Sequence, residues 1–269
     1  METSRLIAPV LPALGEIQRG DCIDVMSKWE PECVDAIYAD PPYNASSSGV
    51  SLPNNKTGGP YHKISAEWDM FTGADYDRFT ARWIKQAARV LKKSGSMFIA
   101  CSMHGIGEAI LAAKQAGLKH NNIIVWRKTN AMPSITKRTF THTTEFACWF
   151  VKGSGWTFNY DKLKQYNPNR TKDGKLKQMP DFVELPILQG RERLRADGGN
   201  RALHPAQKPE KLVEILLASS TNPDDIVLDP FMGTGTTAIV AEKLGLRWTG
   251  IEANSNYIDA AEKRICAVR

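Results

Sequence analysis

The chain has 269 residues, 42% of them hydrophobic and 24% charged, with a formal net charge of +6. That length suits one large α/β domain, alone or with a sizeable insertion, and the composition is that of an ordinary soluble globular protein. No apolar run approaches membrane-spanning length, which excludes a transmembrane role.

The opening segment, METSRLIAPVLPALGE, lacks a basic stretch followed by a long apolar core, so no secretory signal is read there. The five cysteines (Cys22, Cys33, Cys101, Cys148 and Cys266) are scattered, with no Cys-x-x-Cys pair. Such thiols suit a reducing cytoplasm, the expected location, and argue against a disulfide frame or a zinc site. The five histidines are equally dispersed, and no metal site is expected.

The first strand is predicted at Val34–Ala39, a short apolar run that stops at Asp40-Pro41-Pro42-Tyr43-Asn44. In an open α/β sheet, ligands bind beyond the carboxyl ends of the strands, so Asp40 lies on the functional edge. Pro41 and Pro42 have a fixed φ and no N–H, which leaves their carbonyls free to accept hydrogen bonds from something else. A carboxylate beside a backbone carbonyl makes a receptor for an NH2 group, and the Tyr43 ring offers a face on which a planar base stacks. A plain Asp-Pro turn is the alternative. The following Ala45–Tyr61, rich in Ser, Gly and Asn, predicts a mobile loop that orders over the substrates.

A helix is predicted at Tyr76–Lys92, where Phe79, Trp83, Ala87 and Leu91 recur at spacing four. A strand at Met97–Cys101, a helix at His104–Ala116 and strands at Asn122–Trp126 and Glu145–Val151 follow. Between Arg127 and Lys177 stand eleven Lys/Arg against three acids, a local excess of eight that is larger than the net charge of the chain. Trp126, Phe140, Trp149, Phe150, Trp156, Phe158, Tyr160 and Tyr166 are interleaved with them. Basic groups alternating with rings suit a polyanion whose bases can stack; a solvated face over a local core is the alternative. Lys152–Arg201 shows little periodicity and reads as an inserted lobe rather than a core layer.

Further elements are predicted at Glu210–Ser219 (helix), Ile226–Leu228 (strand), Thr237–Leu244 (helix), Trp248–Ile251 (strand) and Asn256–Ala267 (helix). The alternation predicts a doubly wound, mostly parallel sheet covered on both faces. After the strand that ends at Asp229 comes a turn containing Gly233 and Gly235, then a helix. Glycines there let backbone approach a ligand, and the helix N-terminus favours an anionic group. The spacing Gly233-x-Gly235-x-x-Ala238 also matches the dinucleotide fingerprint, while the missing P-loop lysine disfavours a nucleoside triphosphate. Glu252, at the next strand end, is positioned for ribose hydroxyls.

Together, Asp40-Pro-Pro-Tyr43 and Asp229-Pro-Phe-Met-Gly-Thr-Gly-Thr-Thr237 resemble the catalytic motif and cofactor loop of the S-adenosylmethionine-dependent DNA amino-methyltransferases. The catalytic motif comes first and the basic segment lies between the two, an order that looks like the circularly permuted β-type members. The resemblance runs from Gly20 to about Ala267 and implies a Rossmann-like methyltransferase fold. It implies that Asp40, Pro41, Pro42 and Tyr43 are catalytic, with the Asp40 carboxylate and the Pro41 carbonyl taking the two amine hydrogens of a flipped base. It places Asp21 and Cys22 (GDCIDVM) near the cofactor's adenine and Lys208 (HPAQKPEKLVEILL) near its carboxylate. Asp40, Asp229, Phe231, Gly233, Thr234, Gly235, Thr236, Thr237, Glu252, Ala253 and Asn254 complete the implied cofactor site. FTHTTEFACWF (140–150) resembles the segment that helps hold the base.

Aspartate at position 40 favours adenine N6 over cytosine N4 by the same resemblance. The implied division is 1–151 and 202–269 for the two halves of the methyltransferase domain, with 152–201 as the target-recognition lobe. Arg127, Lys128, Lys137, Arg138, His142, Arg170, Lys172, Lys175 and Lys177 are the candidate DNA contacts, with RTKDGKLKQ (170–178) as a groove-entering loop. Double-stranded DNA is the expected partner and no membrane is; a homodimer and a companion restriction endonuclease are further expectations. Three rivals stand: a nicotinamide-dependent dehydrogenase, a DNA-binding module without activity, and the same chemistry on RNA or single-stranded DNA. The first leaves Asp40–Tyr43 and the basic segment without a role, and only 31 residues follow Ala238.

Overall fold

The computed structural model describes residues 9–44, 69, 71–134, 137–188, 193–194, 203 and 207–269, and the backbone of 51–52 and 61–62. Among these, an eight-stranded sheet runs in the order β1 (Ile17–Arg19), β10 (Arg247–Glu252), β9 (Ile226–Asp229), β2 (Val34–Ala39), β5 (Leu91–Cys101), β7 (Thr144–Val151), β6 (Lys119–Lys128), β8 (Phe182–Leu185). Neighbours are parallel except where β7 pairs with β5 and β6, so β7 alone runs against the rest. The short strands β3 (Ser51–Leu52) and β4 (Tyr61–His62) form a separate antiparallel pair. The remainder of the predicted loop Ala45–Tyr61, residues 45–50 and 53–60, lies outside the described residues.

The central strands are apolar on both sides because both faces of the sheet are covered. Along β2, Ile37 and Ala39 join one core with α1 (Cys22–Ser27), α2 (Gly73–Val90) and α3 (Ile106–Gln115). Ala36 and Tyr38 join the other, with α5 (Glu210–Ser220), α6 (Thr236–Leu244) and the Ala261 and Ile265 side chains of α7 (Ser255–Cys266). In α2 the buried Thr80, Trp83, Ile84, Ala87 and Val90 make one stripe at spacings of three and four, and Thr72 caps the helix by accepting from the Asp75 N–H. The helix passes into β5 at Leu91, six residues before the predicted strand start. Register slips there, from Val34 opposite Leu91 to Ala36 opposite Ser96, and the exposed Lys93 and Ser94 interrupt the apolar run.

The stretch Lys152–Arg201 is not wholly apart from the core layers. It contributes β8 as the outer strand beside β6, and the four-residue helix α4 (Tyr160–Leu163) buries Leu163 in the second core. Trp126 Nε1 donates to the Leu185 carbonyl at 2.9 Å. The Asn130 side chain accepts from Ile187 N at 2.6 Å and donates to Ile187 O at 3.2 Å, extending the pairing beyond the strand. Only Val183 of the four β8 residues is buried, so the strand carries no apolar run to detect. No helix among the described residues is long and apolar enough to cross a membrane.

β2 and β9 are neighbours, with Ile37 opposite Leu228. From β9 the sheet continues through β10 to β1; from β2 it continues the other way through β5. Their carboxyl ends, at Asp40 and Asp229, therefore meet at the topological switch point, where this class of sheet opens a crevice.

Candidate active site

The Asp40 side chain is 15% exposed and accepts three hydrogen bonds. Lys208 Nζ donates to its two oxygens at 2.9 and 2.8 Å, and the Tyr43 hydroxyl donates to Oδ1 at 2.7 Å. Lys208 stands just before Pro209, the N-cap of α5, and is only 5% exposed. Its ammonium also lies 5.0 Å from the Tyr43 ring centroid and 3.5 Å from Glu145 Oε2, while Glu145 Oε1 pairs with Lys128 at 2.5 Å. Burial alone would favour neutral Lys208, but the Asp40 and Glu145 carboxylates outweigh it and its pKa rises. Burial likewise opposes a charged Glu145, and Lys208 and Lys128 reverse that to a lowered value. Both partners thus agree on an ionised pair. Burial, then the charge of Asp40, holds the Tyr43 phenol neutral.

Asn44 closes the motif in the left-handed region at φ 51°, where an amide side chain can bond locally. Its N–H donates to Asp69 Oδ1 at 2.6 Å and its Oδ1 accepts from Phe71 N at 2.9 Å. This explains why an amide ends the Asp-Pro-Pro-Tyr run.

Across the switch point, Asp229 ties down its own loop. Its Oδ1 accepts from Phe231 N at 2.9 Å and its Oδ2 from Thr237 Oγ1 at 2.5 Å. Glu252 braces the same turn from β10, accepting from Gly233 N and Asn254 N, both at 2.8 Å. Each carboxylate oxygen retains a second lone pair for a ligand. Gly235 stands at φ 84°, and a Cβ there would lie 3.0 Å from the Ala261 Cβ. Thr234, Thr236 and Thr237 are buried, and the Phe231 ring meets Trp83 edge-on at 5.2 Å. Asp21 caps α1 by accepting from Ile23 N at 2.8 Å, and Gly20 N donates to Glu252 O at 3.0 Å, joining this corner to the loop. Cys22 is buried, which pushes its thiol pKa up. Ala253 is exposed and Asn254 caps α7. Carboxylates at Asp21 and Glu252 beside a glycine turn fit a cofactor that carries positive charge and ribose hydroxyls.

Burial raises the Asp229 pKa to about 7, against the Thr237 and Phe231 hydrogen bonds, which lower it. An acid whose pKa rises on folding contributes most stability below its unfolded value and loses that contribution as pH climbs through the folded value. The thermal midpoint of Asp229→Asn should therefore gain on wild type as pH rises from about 4 to about 8. A midpoint difference that stays flat across that series would count against a buried, protonating Asp229.

The predicted DNA contacts divide into two groups. Arg127 pairs with Glu184 and Lys128 turns inward to Glu145. Lys137, Arg138, His142, Arg170, Lys172, Lys175 and Lys177 are exposed, and Arg170–Leu176 is a bridged hairpin with Gly174 at φ 81°. Glu145 was not singled out in the sequence; its only signal is one acid opening an apolar strand within a basic stretch. Trp83, which packs on Phe231, was visible only as a core residue.

A family model described as DNA methylase matches residues 34–263, from β2 into α7. The chain belongs to this DNA methylase family. It is 36% identical over 259 residues to the Type II methyltransferase M.HinfI of Haemophilus influenzae, covering 95% of this chain and 69% of that relative. Identity is 37% over 249 residues to the Type II methyltransferase M2.DpnII of Streptococcus pneumoniae, covering 91% and 87%. Among solved structures, the complex of M1.HpyAVI with S-adenosylmethionine superposes with a TM-score of 0.66 at 28% identity, over 93% of this chain and 98% of that one. The cytosine-N4-specific PvuII methyltransferase gives 0.68 at 18% identity, over 96% and 92%, a likeness of fold alone. The protein is thus an S-adenosylmethionine-dependent DNA amino-methyltransferase with a Rossmann-like sheet. The methyltransferase match covers the Gly233–Ala238 turn, which removes the dehydrogenase reading.

Proposed function

We propose that this methyltransferase acts on N6 of an adenine swung out of duplex DNA. The observation that carries the reading is that Asp40 and Pro41 follow β2 directly beside β9, the strand that leads into the Gly233–Gly235 turn. Extruding a base costs roughly a few kcal/mol, so the pocket must grip it. Asp40 and the Pro41 carbonyl take the two amine hydrogens, and the Tyr43 ring stacks on the base. S-adenosylmethionine, when bound, supplies an electrophilic methyl group on a sulfonium. Placement of the two reactants then accounts for most of the acceleration. Glu252 would meet the ribose hydroxyls, Asp21 and Cys22 the adenine ring, and residues 231–237 the rest of the cofactor. The family resemblance places Lys208 at the cofactor carboxylate; its contacts with Asp40 and Glu145 favour a place at the base instead.

Aspartate at position 40 is what favours adenine over cytosine. Sequencing the methylated positions in DNA from cells that express the chain gives base, atom and site together. N4-methylcytosine alone among the products would refute the choice of base.

Residues 152–201 would read the target and the exposed bases would grip phosphates, in a chain divided as 1–151, 152–201 and 202–269. Replacing Lys137 and Arg138 together by alanine should reduce the slope of log affinity against log salt by about two. An unchanged slope, measured by fluorescence anisotropy, would remove Lys137 and Arg138 from the backbone contacts. Relatives named as Type II methyltransferases support a companion endonuclease, and the β-type motif order supports a homodimer.

A further inference from the structure

Asp40, Tyr43 and Lys208 close on one another at the tip of β2. Among the described residues, Asp40 Oδ1 accepts from Tyr43 and Lys208, and Oδ2 accepts from Lys208 alone. An amine that donates to Asp40 must therefore share Oδ2 with that ammonium or take one of its places. Charge inside a protein is strongly disfavoured unless compensated, so an ammonium drawn away from Asp40 is favoured where a second anion stands within a short swing of the first.

Glu145 has the properties of that anion. Its Oε1 is fixed by Lys128 at 2.5 Å. Its Oε2 faces Lys208 at 3.5 Å, an ion pair too long for a firm hydrogen bond, and has no hydrogen-bond partner among the described residues. Buried polar oxygens are ordinarily satisfied, and the exceptions call for an explanation. A carboxylate with one oxygen anchored and the other held open toward a neighbouring ammonium is built to receive that ammonium. Lys208 is the ion-pair partner that Glu145 and Asp40 share.

We propose that Lys208 alternates between two anionic seats, Asp40 and Glu145, and passes to Glu145 when the amine of the target base bonds to Asp40. Lys208 and Glu145 are then positioning residues. Lys208 holds Asp40 in place before the base arrives, and Glu145 draws the lysine aside so that an Asp40 oxygen can accept the amine. No proton changes owner in the exchange; the ammonium stays charged in both seats. The inference rests on the reading of Asp40 as the acceptor of the amine, and deepens it.

The test is a cycle of Glu145→Gln, Lys208→Met and the double variant, measured as single-turnover methyl transfer on DNA carrying the mapped site. Glu145→Gln should lower the rate by about 10- to 100-fold, because the lysine stays on Asp40. In the Lys208→Met background the same change should alter the rate by less than about twofold, since Glu145 acts only through the lysine. Glu145→Asp, which keeps the charge, should recover most of the rate lost in Glu145→Gln. Losses that simply multiply in the double variant would show Glu145 to be a structural brace and overturn the clamp. Should a variant fold poorly, a structure of the wild-type protein with its target base extruded decides directly. The clamp requires Lys208 Nζ within about 3.2 Å of Glu145 and off at least one Asp40 oxygen. Retention of both Asp40 contacts overturns it. Asp40→Ala with wild-type turnover would instead sink the underlying reading.

Discussion

Asp40→Ala is expected to reduce methyl transfer by at least about a thousandfold while the affinity for S-adenosylmethionine changes by less than about fivefold. The split follows from where the carboxylate sits. It ends β2, and its described partners are Tyr43 and Lys208, neither of which belongs to the glycine turn braced by Asp229 and Glu252. Removing it deletes the proposed acceptor for the amine and leaves that turn intact. Lys208 keeps Glu145 at 3.5 Å as a counter-ion, so the variant should still fold. Asp40→Asn, which preserves shape but can accept on one atom only, should fall between wild type and alanine. Single-turnover transfer and calorimetric titration of the cofactor measure the two quantities separately. Turnover within tenfold of wild type in Asp40→Ala would exclude the carboxylate from the chemistry.

Gly235→Val should lower the thermal midpoint by about 5–15 °C and abolish cofactor binding. Two independent costs add there. At φ 84° a β-branched residue is strained by about 1–3 kcal/mol. The new side chain also meets Ala261, whose Cβ and Cα lie 3.0 and 3.3 Å from the position of a Cβ, and overpacking of this kind costs a further ~1–3 kcal/mol. Gly117 separates the two. It has nearly the same dihedral, φ 82°, with nothing within 4 Å of a Cβ, so Gly117→Val should show the strain alone and leave cofactor binding unaltered. Equal midpoint losses at the two sites would mean that contact with α7 contributes nothing.

How far the amino-acid sequence displays this arrangement depends on burial. β2, β5, β7, β9 and β10 are legible because both sheet faces are covered, which leaves apolar runs such as Ala36–Ala39. β1 has three residues, none of them buried, and β8 has one buried residue in four, so neither carries a pattern. The strand tips and glycine turn are legible for a different reason. Asp40-Pro-Pro-Tyr and the Gly233–Gly235 loop are contiguous, and their backbone demands are local. The ion pairs are not local. Lys208 and Asp40 are 168 positions apart, and only the meeting of α5 with the tip of β2 joins them. The pairing of Lys128 with Glu145 depends in turn on β6 lying beside β7, where Trp126 stands opposite Glu145. A basic count over 127–177 treats Lys128 as one more surface charge, and only the fold turns it inward.

With residues 152–201 as the proposed target reader, the edge strand β8 bears on the length of message the enzyme can read. Four inter-strand steps separate it from β2, and at ~4.8 Å per step that is roughly 19 Å. Stacked nucleotides advance ~3.4 Å each, so the same span corresponds to about five or six of them. A side chain carried near that margin would thus touch letters half a dozen places from the modified one, and the spread of invariant flanking positions in mapped products reports that reach directly.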